Sequence, residues 1–152
     1  MEFERFGDHY VLRLNPGEEV KSTLLDFLDR EGIGGGEFHG FGGFCRVRLS
    51  YFDVTTRQFK PHEIDEQVEV VSLLGNVARE NGKPIVHMHA AVSDAQSHTS
   101  SGHLVEGVVR PTLEVFLTRF AGEIRREKDP ATGLDVLALP NTMRGKQGRA
   151  AC

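Results

Sequence analysis

The chain has few of the features that would assign it to a class at a glance. Two cysteines, Cys45 in a strand-like run and Cys152 at the last position, are too few for a disulfide framework or a metal knuckle, so a reducing, cytoplasmic setting is expected. No stretch approaches the roughly 18 consecutive apolar residues that a membrane-spanning helix needs. The opening MEFERFGDHY puts acidic and aromatic residues where a signal peptide has a basic and then a long apolar region, so secretion is not expected. The formal charge is only -4, which provides no global attraction to phosphate, the term that dominates non-specific nucleic-acid binding. Any contact with DNA would need a local patch. GxSxG, CxxC and the GxxxxGK[ST] phosphate loop are all missing, so covalent catalysis and nucleotide binding have no support.

What is present suits one globular domain. A length of 152 residues with 39% apolar and 26% charged residues is enough for a single hydrophobic core and too short for two. His9 to Leu14 alternates as a strand. Asn15-Pro16-Gly17 breaks the chain, and Val20, Leu24, Leu25, Phe27 and Leu28 then recur at helical spacing between Glu18 and Glu31, with Glu18 and Glu19 suited to the helix start and Gly32 to its end. The glycines from Gly32 to Gly43 read as turns and strand bends. Cys45, Val47, Leu49 and Tyr51 alternate with polar residues, predicting a strand with that set buried, and Thr55-Thr56 follows as a hairpin turn.

Further strands are expected over Val68 to Asn76, Ile85 to Val92, His103 to Val109 and Thr112 to Phe120. Asn81-Gly82 marks a hairpin, the segment from Ser93 to Gly102 a loop, and Arg110-Pro111 a break. A last hairpin is expected to turn at Asp129 to Gly133. Residues 1–139 thus read as one α+β domain, with a curved, largely antiparallel and barrel-like β-sheet and one main helix after the first strand. Residues 140–152, rich in Gly, Lys, Arg and Ala, read as a flexible tail.

The chemistry concentrates in HMHAAVSD. His87 and His89 lie two apart on a strand, so both leave the same face and can reach one ion, while Met88 and Ala90 point to the core with Val86 and Val92. His103 opens the next strand and comes beside the pair if the two strands are neighbours. Three imidazoles with an open fourth position describe a reactive divalent-metal site, zinc above all. The competing reading is of ordinary strand histidines satisfied by backbone or water. Asp94 and Glu106, near in sequence, are candidates to orient a ligand or move a proton, or are plain solvated charges. His9, His39, His62 and His98 have no comparable spacing.

The segments SLLGNVARENGKPIVHMHAAVSD and SSGHLVEGVV, between Ser72 and Val109, resemble the plants-and-prokaryotes conserved (PPC) domain family, and the order of elements extends the resemblance over Met1 to Leu139. It implies an α+β fold assembled as a homotrimer, with the family's His-x-His and Gly-His motifs falling on His87, His89 and His103. The fold is similar to that of acetolactate decarboxylase, which implies a zinc held by an analogous trio. That enzyme's catalytic carboxylate and arginine cannot be matched residue by residue; Glu106 and Arg48 are the candidates. Plant members carry an AT-hook that enters the DNA minor groove. Here its nearest approach is the basic stretch from Arg144 to Arg149, which lacks the proline.

Two functions are therefore expected. One is a zinc-binding homotrimeric module, with a DNA link or a small-molecule ligand at the metal. The other is a zinc-dependent lyase or hydrolase acting on a small oxyanion-bearing substrate.

Overall fold

A computed structural model describes residues 1–141. The expected tail at 140–152 and the basic stretch from Arg144 to Arg149 lie, but for the first two tail residues, outside the described residues. The element order is β1 (Glu2–Phe6), β2 (His9–Leu14), α1 (Val20–Arg30), β3 (Gly36–Asp53), β4 (Gln58–Ile64), β5 (Val68–Glu80), β6 (Lys83–Ser93), β7 (Thr99–Arg119), β8 (Arg125–Lys128) and β9 (Asp135–Ala138). All strand pairings are antiparallel except a single parallel contact, Arg79 with Arg125, between β5 and β8. The architecture is the expected α+β one, a curved sheet with one helix.

Helix α1 begins where its chemistry allows. The Glu19 carboxylate accepts from the backbone N–H of Lys21 and of Ser22, at 3.0 and 2.8 Å, and so caps two of the free donors of the first turn. Glu18 accepts from the backbone N–H of Asn15 and from the Met1 amine. The helix ends at Gly32, whose φ of 63° suits a residue without a Cβ. Val20, Leu24, Phe27 and Leu28 are buried against the sheet, in one core with Tyr10, Leu12, Leu14, Phe38, Phe44, Met88, Leu104 and Leu113.

Two long strands give the sheet its curvature. β3 starts nine residues earlier than the alternating run suggests, because Gly36, Gly40, Gly42 and Gly43 lie in the ladder, as strand bends and not as turns. At Gly42 an added Cβ would meet the backbone oxygen of Thr112 at 2.2 Å, so the close approach of β3 to β7 demands glycine there. The register shifts at Gly40/Gly42, Gly42/Phe44 and Arg48/Leu49 bend the strand, and beyond the last of them Tyr51 is 67% exposed, where simple alternation had placed it inside. β7 is one strand, not two. Pro111, which lacks an N–H, sits in the gap where pairing to β3 skips from Val109 to Leu113, so it interrupts no ladder bond. Its N-terminal part also absorbs the end of the expected loop, leaving only residues 94–98 outside strands. β3, β5, β6 and β7 pair in a cycle, which closes the sheet into a partial ring.

Candidate metal centre

The cycle of strands brings the three histidines together. His89 and His103 are direct cross-strand partners between β6 and β7, and His87 leaves the same face of β6 two residues earlier. The ring centroids are 5.1 Å apart for His87–His89 and for His87–His103, and 5.6 Å for His89–His103. One nitrogen from each ring lies within 4.8 Å of the others. Zinc–nitrogen bonds of about 2.05 Å at tetrahedral angles need donors roughly 3.3 Å apart, a spacing that modest side-chain rotation reaches. Met88, Ala90 and Val92 are buried on the opposite face, so packing fixes the strand while the imidazoles stay clear of the core.

The electronic state of the trio also suits a metal. Burial, reinforced by the neighbouring His87 and His89 and by Lys21, pulls His103 down from 6.5 to about 4. Burial, then the charges of Arg126 and His89, also lowers His87. Both are neutral at physiological pH and present lone pairs. Among the described residues, no protein hydrogen bond engages a ring nitrogen of the three, which removes the support for histidines satisfied by backbone. The donor set, three imidazoles facing a cleft, fits a divalent metal with open positions.

That cleft has a volume of about 710 Å³. Phe52 and Phe59 form an apolar wall, with the Phe59 ring 5.6 Å from His103. The β8–β9 hairpin contributes Arg126, Lys128, Leu134 and Asp135. None of these hairpin residues stood out in the sequence. Arg126 follows His103 by more than twenty residues, in a short strand without periodicity, and only the hairpin signal at Asp129 to Gly133 hinted that this segment folds back.

The other candidates lie elsewhere. Glu106 is held by Arg46 at 2.9 Å and by Arg48 at 3.4 Å, in direct register with Arg48, and neither residue lines the cleft. Asp94 accepts from the backbone N–H groups of His98 and Gln96, both at 2.9 Å, and pairs with the His98 ring. These bonds, the one from the His98 backbone first, hold its carboxyl below the usual range. Asp94 and His98 line a second cleft of about 410 Å³, with His62.

Comparison with known proteins gives the fold and site a context. The family model of the Plants and Prokaryotes Conserved (PCC) domain matches residues 1–121. Among solved structures, the metal-containing protein of Archaeoglobus fulgidus is 30% identical, with a TM-score of 0.81 over 91% of this chain and 97% of that one. A plant- and prokaryote-conserved protein of Pyrococcus horikoshii is 28% identical, with a TM-score of 0.81 over 93% and 96%. A candidate DNA-binding protein of Ralstonia eutropha is 27% identical, with a TM-score of 0.85 over 91% and 96%. Acetolactate decarboxylase of Bacillus subtilis shares the fold at 13% identity and a TM-score of 0.53. A curated relative, the bifunctional protein GlmU of Synechococcus, is 32% identical over 127 residues, and the chain spans 19% of its length.

Proposed function

The chain belongs to the Plants and Prokaryotes Conserved family, and from that premise we propose that it is a homotrimeric protein holding one zinc ion per subunit on His87, His89 and His103, with a small ligand at the open coordination position. The observation that carries this reading is the convergence of three uncommitted imidazole nitrogens within 4.8 Å on the wall of a cleft. The metal-containing relative of Archaeoglobus fulgidus lends it weight. A zinc ion so held would act as a Lewis acid toward an oxygen of the ligand. The protein's own part is to hold the three imidazoles together and to enclose the ligand between Phe52, Phe59 and the β8–β9 hairpin.

Self-assembly is supported by an unpartnered apolar strip. Phe116, His39, Leu74, His89 and His103 form one cross-strand row through β7, β3, β5, β6 and β7, so they share a face of the sheet. Phe116 stacks on His39 and Phe41, and Phe41, Val71 and Leu74 are 50%, 61% and 58% exposed. Such a patch is unusual on a monomer, and a second copy would cover it.

Elemental analysis of protein prepared without chelator tests the metal. Near-stoichiometric zinc in the wild type, falling in both His87→Ala and His103→Ala, is expected. Wild-type protein that neither carries nor takes up metal would end this reading. An enzyme reading, zinc-dependent lyase or hydrolase chemistry on a small oxyanion-bearing substrate, is favoured by the cationic Arg126 beside the trio. It requires turnover that His89→Ala abolishes. Glu106 and Asp94, held in the contacts described, would have to move to serve as its acid or base, and Arg48 to reach its substrate. DNA association rests on the relative of Ralstonia eutropha and predicts salt-sensitive duplex binding.

A further inference from the structure

Arg126 is a half-buried cation whose charge is left over. Its Nη1 donates to the backbone oxygen of Asp135 at 2.6 Å, and its Nη2 to Oδ1 of Asn76 at 2.7 Å. Both acceptors are neutral, and among the described residues no carboxylate lies within ion-pair distance of it. The Asp135 carboxylate is already engaged by Lys128 at 2.8 Å. Glu80, the other acid lining the cleft, is exposed. Guanidinium has five N–H donors, so two bonds to the protein leave three free.

The two bonds also fix where those donors are. Asn76 is the direct cross-strand partner of His87, and paired Cα atoms in an antiparallel ladder lie about 4.5–5.5 Å apart. The Asn76 side chain therefore holds the guanidinium beside the His87 imidazole, on the shared cleft wall. A divalent ion held on three imidazoles would keep its full charge, and Arg126 adds another nearby. A cleft with that much positive charge and an apolar wall calls for an anion with an organic body.

We propose that Arg126 is the anion-recognising residue of this cleft, and that the ligand is a small organic carboxylate whose carboxylate takes the guanidinium fork, whose second oxygen reaches the metal, and whose apolar body packs on Phe52 and Phe59. This rests on the metal reading above. The planar guanidinium fork matches a carboxylate in a bidentate pair, and the apolar Phe52 and Phe59 offer an organic body a surface that inorganic phosphate cannot use, which favours the carboxylate. The residue lies beyond the span 1–121 matched by the family model, so ligand choice is set by a hairpin outside the segment that carries the histidines.

The test titrates mandelate, its neutral methyl ester and inorganic phosphate separately into cobalt-loaded protein, followed by the visible cobalt spectrum and by calorimetry, with metal content measured on every sample. Mandelate is expected to shift the spectrum of the wild type and the ester to bind far more weakly. Arg126→Gln should weaken mandelate by about tenfold to a hundredfold with metal content unchanged. Arg126→Lys, which keeps the charge and loses the fork, should fall between. Equal mandelate affinity in wild type and Arg126→Gln, both metal-loaded, overturns the assignment of Arg126 and leaves the metal reading standing. Phosphate binding more tightly than mandelate overturns the carboxylate class. Failure of the wild type to load cobalt or zinc overturns both the metal reading and the proposal built on it.

Discussion

Gly75 and Phe38 are cross-strand partners between β5 and β3, and the Phe38 ring, 3% exposed, lies over the glycine. A Cβ built at position 75 would meet Cζ of that ring at 2.2 Å and Cε2 and Cε1 at 2.7 and 2.8 Å, far inside the 3.5–4.0 Å of a normal carbon contact. Gly75→Ala must therefore displace a ring packed in the core. Overpacking of this kind costs up to about 3 kcal/mol, offset by roughly 0.4–1 kcal/mol from the smaller conformational entropy of the unfolded chain. The expected net loss is about 2 kcal/mol, a fall of roughly 4–8 °C in Tm for a chain of this size. Urea unfolding of metal-free protein, in the wild type, Gly75→Ala, Phe38→Leu and the double variant, measures it. Because Phe38→Leu makes room for the new methyl, the double variant should be less destabilised than the sum of the singles by about 1 kcal/mol. An unfolding free energy for Gly75→Ala within about 0.5 kcal/mol of wild type, or strict additivity in the cycle, would refute the argument.

Other expectations draw on the same structure. Glu19→Ala removes the cap of α1 and should cost about 1 kcal/mol in urea unfolding, while Glu4→Ala, exposed on the edge strand β1, should change little. His103 has a folded pKa of about 4 against an ordinary 6.5, so below 6.5 the unfolded chain takes up a proton that the fold does not. Metal-free protein should keep this part of its stability above about pH 6.5 and lose it as pH falls toward 4; His103→Gln should flatten that slope, and parallel curves for the two proteins would count against a neutral, partly buried imidazole. Phe41→Glu, placed in the exposed apolar strip, should convert a species of three times the 16.9 kDa chain mass to monomer in sedimentation equilibrium. A monomeric wild type would remove the trimer from the proposed function.

The parts of the fold that were legible in the sequence are those where one local rule dominates. The helix from Val20 to Arg30 follows from 3.6-residue spacing between a cap and a glycine. The hairpin at Asn81-Gly82, with both residues at positive φ, follows from the only turn chemistry that suits two such residues. The histidine trio followed from period two on a strand plus adjacency of β6 and β7. What escaped notice depended on distant partners. The glycines of β3 read only as turns and strand bends because the reason the ladder runs through them, the close approach of the β7 backbone at Arg110, Thr112, Glu114 and Thr118, lies 67 to 82 residues away along the chain. Pro111 read as a break because nothing local says that the ladder has a gap beside it. Strand β1, exposed along its length although Phe3 meets Phe27 of α1, carries no clear alternation to find.

Arg126 belongs to the same class, and its case shows why the contents of a site are harder to read than its ligands. A ligand set must converge on one point, so its members tend to fall at short, regular spacing on one or two strands, as His87 and His89 do. The residues that choose among ligands need only reach the cleft, and any element that folds back over it will serve. Here that element is a short hairpin tied to β5 by a backbone bond of 2.7 Å from Arg79 N to Ile124 O and by the Arg126–Asn76 bond. Because Asn76 meets Arg126 through its side chain and pairs with His87 through the backbone ladder, the two roles can be separated by mutation. Asn76→Ala should leave the imidazoles and their metal in place while freeing the guanidinium, so it should weaken anion binding and spare metal content; a matching loss of metal would mean that the hairpin supports the histidines and does not select the ligand.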